Sequence, residues 1–181
     1  MKVHAALAAL VLALSPTLAT AEVADSSSNG FTVKAAFTIN AAPEEVYRRL
    51  INVGDWWDSA HSFSGDARNL SIEEKPMGCF CERLPNRGSV RHMEVVFLAP
   101  GKLLGMTGAL GPLQSIAAAG NMTIRLAPAD GGTKMDVTYA VTGYTPKGMN
   151  TWAAPVDSVL TQQFTRLKAF VEGALKPTPS K

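Results

Sequence analysis

Residue types able to hold a metal or move a proton crowd into one short stretch, "MGCFCERLPNRGSVRHMEVV", Met77 to Val96. Cys79 and Cys81 stand one residue apart, His92 follows eleven positions after the second, and Glu94 comes two later. A hairpin turning at "PNRG" with an even loop sets Leu84 against Ser89, and therefore Cys81 opposite His92 and Cys79 opposite Glu94. All four then share one face, with Phe80 against Met93 and Glu82 against Arg91 on the other; an odd loop or a bulge breaks that alignment. Zinc accepts these ligand types, but structural zinc sites separate their cysteines by two to four residues, and Cys-x-Cys on one strand falls outside that spacing. We expect no metal here and no other cofactor. A disulfide is awkward too, because residues two apart on a strand lie roughly 6.5 to 7 Å apart, at the limit for bridged Cα atoms. Either a bend joins the pair as a strained, reducible bridge, as an oxidising compartment allows, or both stay buried thiols; the spacing favours thiols.

Few other residues carry chemistry. Trp56 and Trp57 follow a short helical signal with His61 close behind, aromatic surface beside one polar group, as ligand pockets commonly offer. One of the two tryptophans serves equally well as ordinary core, and His61 reads as a loop histidine more than a general base. Trp152 opens the longest helical signal, where it either caps a cavity or anchors the helix. "GALGPLQ", Gly108 to Gln114, reads as a bent strand and turn. No HExxH, GxSxG, CxxC or phosphate-binding glycine loop is present, so the common metalloprotease, serine hydrolase, thioredoxin-like and nucleotide-binding classes lack their signal.

The elements that must position these residues follow from periodicity. "FTVKAAFTI" alternates apolar Phe31, Val33, Ala35, Phe37 and Ile39 with other residues, as a half-buried strand does. "PEEVYRRLINV" has Pro43 at a first helical position, acidic residues at the positive end of the helix dipole, and an apolar face of Val46, Leu50 and Ile51. From Arg68 to Gly143 turn signals at "PNRG", "APGK" and "ADGG" separate about six strands. From Thr151 to Leu175, Val156, Leu160, Phe164, Leu167 and Val171 recur at helical spacing. An antiparallel sheet with one apolar face needs a cover, and this amphipathic helix supplies it.

The first 21 residues carry Lys2, an apolar run from Ala5 to Leu14 and Ala19-Thr20-Ala21, the pattern of a secretory signal cut after Ala21. The run is shorter than the roughly 20 residues of a membrane span, so the mature chain is expected to be secreted or periplasmic with no membrane anchor. Residues 22–30 read as a flexible polar leader, 31–176 as one domain and 177–181 as a tail. Formal net charge is +2, with the charges scattered, which offers nucleic acid no footprint.

The segments "INAAPEEVYRRLINVGDWWD", "SFSGDARNLSIEE", "GCFCE", "GSVRHMEVVFLAPGKLLGMTGALGPLQ" and "GGTKMDVTYAV" together resemble the START-like (SRPBCC) superfamily, which includes birch pollen allergens, polyketide cyclases and the heat-shock-protein ATPase activator domain. The resemblance implies an α+β helix-grip fold. In it a curved antiparallel sheet of about seven strands wraps a long C-terminal helix, with two short helices after the first strand and a deep apolar cavity between sheet and helix. It implies no universal catalytic residue. Candidate lining residues are Trp56, Trp57, His61, Phe80, His92, Tyr139, Trp152, Leu160 and Phe164. The expected partner is a small hydrophobic or amphipathic molecule, held by an exported carrier or sequestering protein. The alternative is a cyclase or hydratase-type enzyme using the same cavity; a polar cavity group within hydrogen-bond reach of a second one favours the enzyme, and a wholly apolar cavity the carrier.

Overall fold

The computed structural model describes residues 20–177 and opens with a strand where the polar composition predicts a flexible leader. β1 (Thr20–Ser27) pairs antiparallel with β2 (Gly30–Ile39), from Thr20 against Ala36 to Ser27 against Gly30. The leader over 22–30 is thereby corrected to an edge strand and its turn. Such a strand needs only backbone partners, and polar side chains on an exposed edge discourage pairing with other chains, so polarity did not exclude it.

β2 buries Phe31, Val33, Ala35, Phe37 and Ile39, as its alternation requires. α1 (Pro43–Ile51) has Pro43 in its first turn, Glu44 and Glu45 at its positive end and Arg48 and Arg49 in its last turn, and it buries Val46, Tyr47 and Leu50. The second short helix expected after it is a series of single 3-10 turns, Val53–Asp55, Ser59–His61 and Ala67–Asn69, in a stretch too rich in Gly, Ser and Asp to propagate a helix. Six strands follow as expected: β3 (Leu70–Ile72), β4 (Cys79–Arg83), β5 (Ser89–Ala99), β6 (Leu103–Thr107), β7 (Ala117–Ala129) and β8 (Gly132–Tyr144). With β1 and β2 they make an eight-stranded antiparallel sheet, one strand more than expected, in the order β1-β2-β8-β7-β6-β5-β4-β3.

α2 (Ala153–Val171) begins after a 3-10 turn at Met149–Trp152, and it packs on β1, β2 and α1. Its C-terminal half closes directly on the sheet: Phe164 lies 6.2 Å from Phe37 and 6.0 Å from Trp56, ring centre to ring centre, and Leu167 and Phe170 are buried with them. Its N-terminal half stands off from the sheet. This is the helix-grip arrangement. Among the described residues no helix is long and apolar enough to cross a membrane.

Candidate functional site

The gap under the first half of α2 is a cavity of about 260 Å³. α2 and the turn before it contribute Trp152, Pro155, Val156, Val159 and Leu160; the loop after α1 contributes Trp57 and Ala60 through Phe63; strands supply Leu70, Phe80, His92 and Tyr139; and Leu110 to Leu113 form the remaining wall. Seven of the nine predicted candidates therefore border one space. Trp56 and Phe164 do not. Trp56 is buried with its indole N–H donating to the Leu50 carbonyl at 3.3 Å, and Phe164 packs on it one turn beyond the cavity. A helical stripe marks which side faces inward, not how far along the helix the sheet makes contact, and both residues fall on the closed side.

The loop carrying Trp57 and His61 is fastened to α2. Gln163 accepts from the Asp58 backbone N–H at 2.8 Å, Gln162 donates to the Asp58 carboxylate at 2.7 Å and meets His61 Nε2 at 3.1 Å, and Arg166 donates to the Trp56 carbonyl at 3.0 Å. Trp57 donates to the His61 carbonyl at 2.9 Å, which leaves its ring edge-on to Phe80. His61 itself is exposed, at the outer lip.

The hairpin of β4 and β5 departs from the even-loop register. Arg83 pairs with Ser89 and Cys81 with Arg91, and then the register shifts so that Phe80 pairs with Met93 and Cys79 with Glu94. The loop is odd, and a bulge at His92 restores the predicted pairs beyond it. The two-residue periodicity is broken there, so His92 and Met93 both turn into the core. His92 does not join Cys79, Cys81 and Glu94; it meets Glu82, which the alternation of β4 places on the core face beside Phe80. Arg91, expected against Glu82, pairs instead with Glu94 at 2.9 Å.

Glu82 is 0 % exposed and His92 5 % exposed, with His92 Nε2 3.1 Å from Glu82 Oε2. Burial pushes the Glu82 carboxyl up, but hydrogen bonds from Ser64, the Phe63 backbone N–H and His92 outweigh it and hold the group below the usual carboxylate range. Burial pushes His92 below its ordinary value, and the Glu82 hydrogen bond and charge only partly oppose that. The pair is therefore an ionised carboxylate and a neutral imidazole. An ionised carboxylate only accepts, so the proton sits on Nε2 and Nδ1 keeps its lone pair. Nδ1 is buried and has no hydrogen-bond partner among the described residues. Phe63 stacks on the ring at 5.8 Å with planes 3° apart, and Phe80 approaches at 5.3 Å.

Tyr139, the buried hydroxyl of the lining, is already occupied. Its hydroxyl donates to the Gly108 carbonyl at 3.1 Å and accepts from the Leu110 N–H at 3.0 Å, so it pins the "GALGPL" segment as a wall, and burial raises its pKa to about 12. Gly120 makes room for it, since a Cβ there would stand 2.8 Å from the Tyr139 ring.

Cys79 and Cys81 are bonded to each other, with Cα atoms 5.2 Å apart, so the expectation of buried thiols is corrected. β4 bends opposite the His92 bulge, and that bend shortens the extended spacing that made a bridge awkward. Both cysteines lie half-buried on the outer face of the sheet, away from the cavity. Among the described residues no group of three or more His, Cys, Asp or Glu is gathered closely enough to hold a metal ion. Among the residues gathered on His92, Glu82 and Phe63 are the two that sequence reasoning missed. Glu82 left one signal, a charge two residues from a core phenylalanine on the same strand face. Phe63, isolated in a Ser- and Gly-rich loop, left none.

A curved antiparallel sheet gripping one helix around an apolar cavity defines a helix-grip domain. Residues 30–172 match the family described as polyketide cyclase / dehydrase and lipid transport, and the chain belongs to that family, which bears out the START-like resemblance. Solved structures with the same fold include a protein from Chromobacterium violaceum, at 17 % identity and TM-score 0.55 over 78 % of this chain and 96 % of that one. An uncharacterized protein from Rhizobium leguminosarum matches at 17 % identity and TM-score 0.57 over 87 % and 99 %. CalU16 from Micromonospora echinospora matches at 15 % identity and TM-score 0.55 over 91 % and 88 %. No curated protein matches the chain.

Proposed function

We propose that the protein binds a small hydrophobic or amphipathic molecule in the cavity under α2, as an exported carrier or sequestering protein. The observation that carries this reading is the cavity itself, about 260 Å³ walled by aromatic and aliphatic side chains. That is just below the roughly 300 Å³ at which drug-sized sites begin, and it suits a small ligand. Family membership supports ligand binding or a cyclase-type role without choosing between them.

The enzyme reading is favoured by one observation, His92 within hydrogen-bond reach of Glu82. A neutral imidazole with its proton fixed on the far nitrogen is an oriented base. The carrier reading stays first because no free acid or base stands beside that imidazole: Glu82 lies outside the lining and is occupied by Phe63, Ser64 and His92, the Tyr139 hydroxyl is occupied by Gly108 and Leu110, the Ser62 hydroxyl donates to the Ser59 carbonyl, and His61 meets Gln162 at the exposed lip. A cyclisation or hydration that both removes and delivers a proton would have to run both transfers through one imidazole. The test is titration with a neutral environment-sensitive dye. Binding at roughly micromolar Kd, about 8 kcal/mol, with a change in the emission of Trp57 or Trp152, is the expected result, and absence of any binding overturns the reading.

A further inference from the structure

His92 borders the cavity and carries a buried ring nitrogen with no hydrogen-bond partner among the described residues, and its chemistry restricts what can bind. Of the two His92 nitrogens, Nε2 is taken by Glu82, which is not part of the lining, so the atom left for a ligand is Nδ1. Because Glu82 fixes the proton on Nε2, Nδ1 can accept a hydrogen bond but cannot donate one. No lysine or arginine borders the cavity, and the nearest charge to His92 is the negative one on Glu82. A carboxylate placed there would lose its hydration, find no cation, and face a like charge across the ring. A ligand bearing an N–H or O–H would satisfy an atom that is otherwise buried and unpaired, and an unsatisfied buried acceptor is costly. Phe63 lies flat on the His92 ring but is itself 54 % exposed, so it can swing outward with little loss of burial and admit a ligand head to Nδ1.

Resting on the binding function above, we propose that His92 Nδ1 is the recognition point of the cavity, selecting neutral ligands with a hydroxyl donor, alcohols or phenols, over fatty-acid anions and over ligands that only accept hydrogen bonds. Glu82 is a positioning residue, acting through His92 by fixing its tautomer.

The experiment compares three probes of matched chain length, 1-octanol, octyl methyl ether and octanoate, displacing the neutral dye from the full chain at pH 8. The alcohol is expected to bind about tenfold more tightly than the ether, the scale of one buried hydrogen bond, and the anion more weakly than either. In His92→Phe the ratio of alcohol to ether falls to near one. A second measurement needs no variant: in the long-range proton–nitrogen NMR spectrum of the parent, His92 Nδ1 is unprotonated and shifts on addition of 1-octanol but not of the ether. Equal affinity for alcohol and ether, tight octanoate binding, or an Nδ1 signal indifferent to 1-octanol overturns the selectivity while leaving the cavity function standing. Failure of all probes and of the dye removes both.

Discussion

Glu82 holds a full charge in a wall that solvent does not reach, and only its donors make that tolerable. Glu82→Ala strands the backbone N–H groups of Phe63 and Ser64 and the His92 Nε2–H together. The expected loss is about 3 to 5 kcal/mol, the scale of several buried donors each left unpaired at about 1 to 3 kcal/mol. Glu82→Gln keeps an acceptor oxygen and should cost less; urea denaturation of the two variants checks the order. The same pair sets the acid limb of stability. His92 has a lowered folded pKa, so its contribution is fully present above the unfolded value, about 6.5, and is lost as pH falls through the folded one. Glu82 is also lowered, so its contribution is present above about 4.3 and disappears further down. Urea midpoints measured against pH should fall in two stages below about pH 6.5, and in His92→Phe the upper stage should vanish. A flat profile between neutral pH and the carboxylate range would contradict the assignment of a buried neutral imidazole.

At the scale of elements, the strands and helices were legible because their periods are. β2, β8 and α2 alternate or recur cleanly, and each lies where its pattern placed it. What pattern could not supply was register. One odd loop and one bulge moved His92 from the face of the cysteines to the face of Glu82, and neither leaves a mark in "CFCERLPNRGSVRHMEVV", where Asn86 and Arg87, not glycine, adopt the positive φ of the turn. Depth along α2 was equally hidden. Leu160 and Phe164 sit on one stripe, yet only Leu160 borders the cavity. The two halves of the helix should therefore answer substitution differently. Leu160→Trp fills the void, weakening dye binding by about tenfold or more, about 1.4 kcal/mol, while costing about 1 to 3 kcal/mol of stability. Phe164→Ala removes core, costs about 3 to 5 kcal/mol, and leaves the dye affinity of the folded protein close to that of the parent. A folded Leu160→Trp protein that binds dye as the parent does would place the ligand elsewhere.

At the scale of the whole molecule, two features far from the cavity bear on the compartment proposed for it. Cys79 and Cys81 are joined on the outer face of the sheet, and such bridges persist where the surroundings are oxidising. The bridge closes a loop over one intervening residue, so its chain-entropy contribution is small, about 1 to 2 kcal/mol. The other feature is β1. A cut after Ala21 removes the rungs that Thr20 and Ala21 make with Ala36 and Ala35, and it leaves Glu22 against Lys34, Val23 against Val33 and Asp25 to Ser27 against Thr32 to Gly30. Export and folding are thus compatible, since the strand keeps most of its ladder after processing. Both features meet in one measurement, the intact mass of protein recovered from the exported fraction of its native host. The expected species starts at Glu22 and gains two hydrogen atoms on reduction. A mass that retains Met1 to Ala21 would remove the export proposal, and two titratable thiols per chain in denaturant without reductant would remove the bridge.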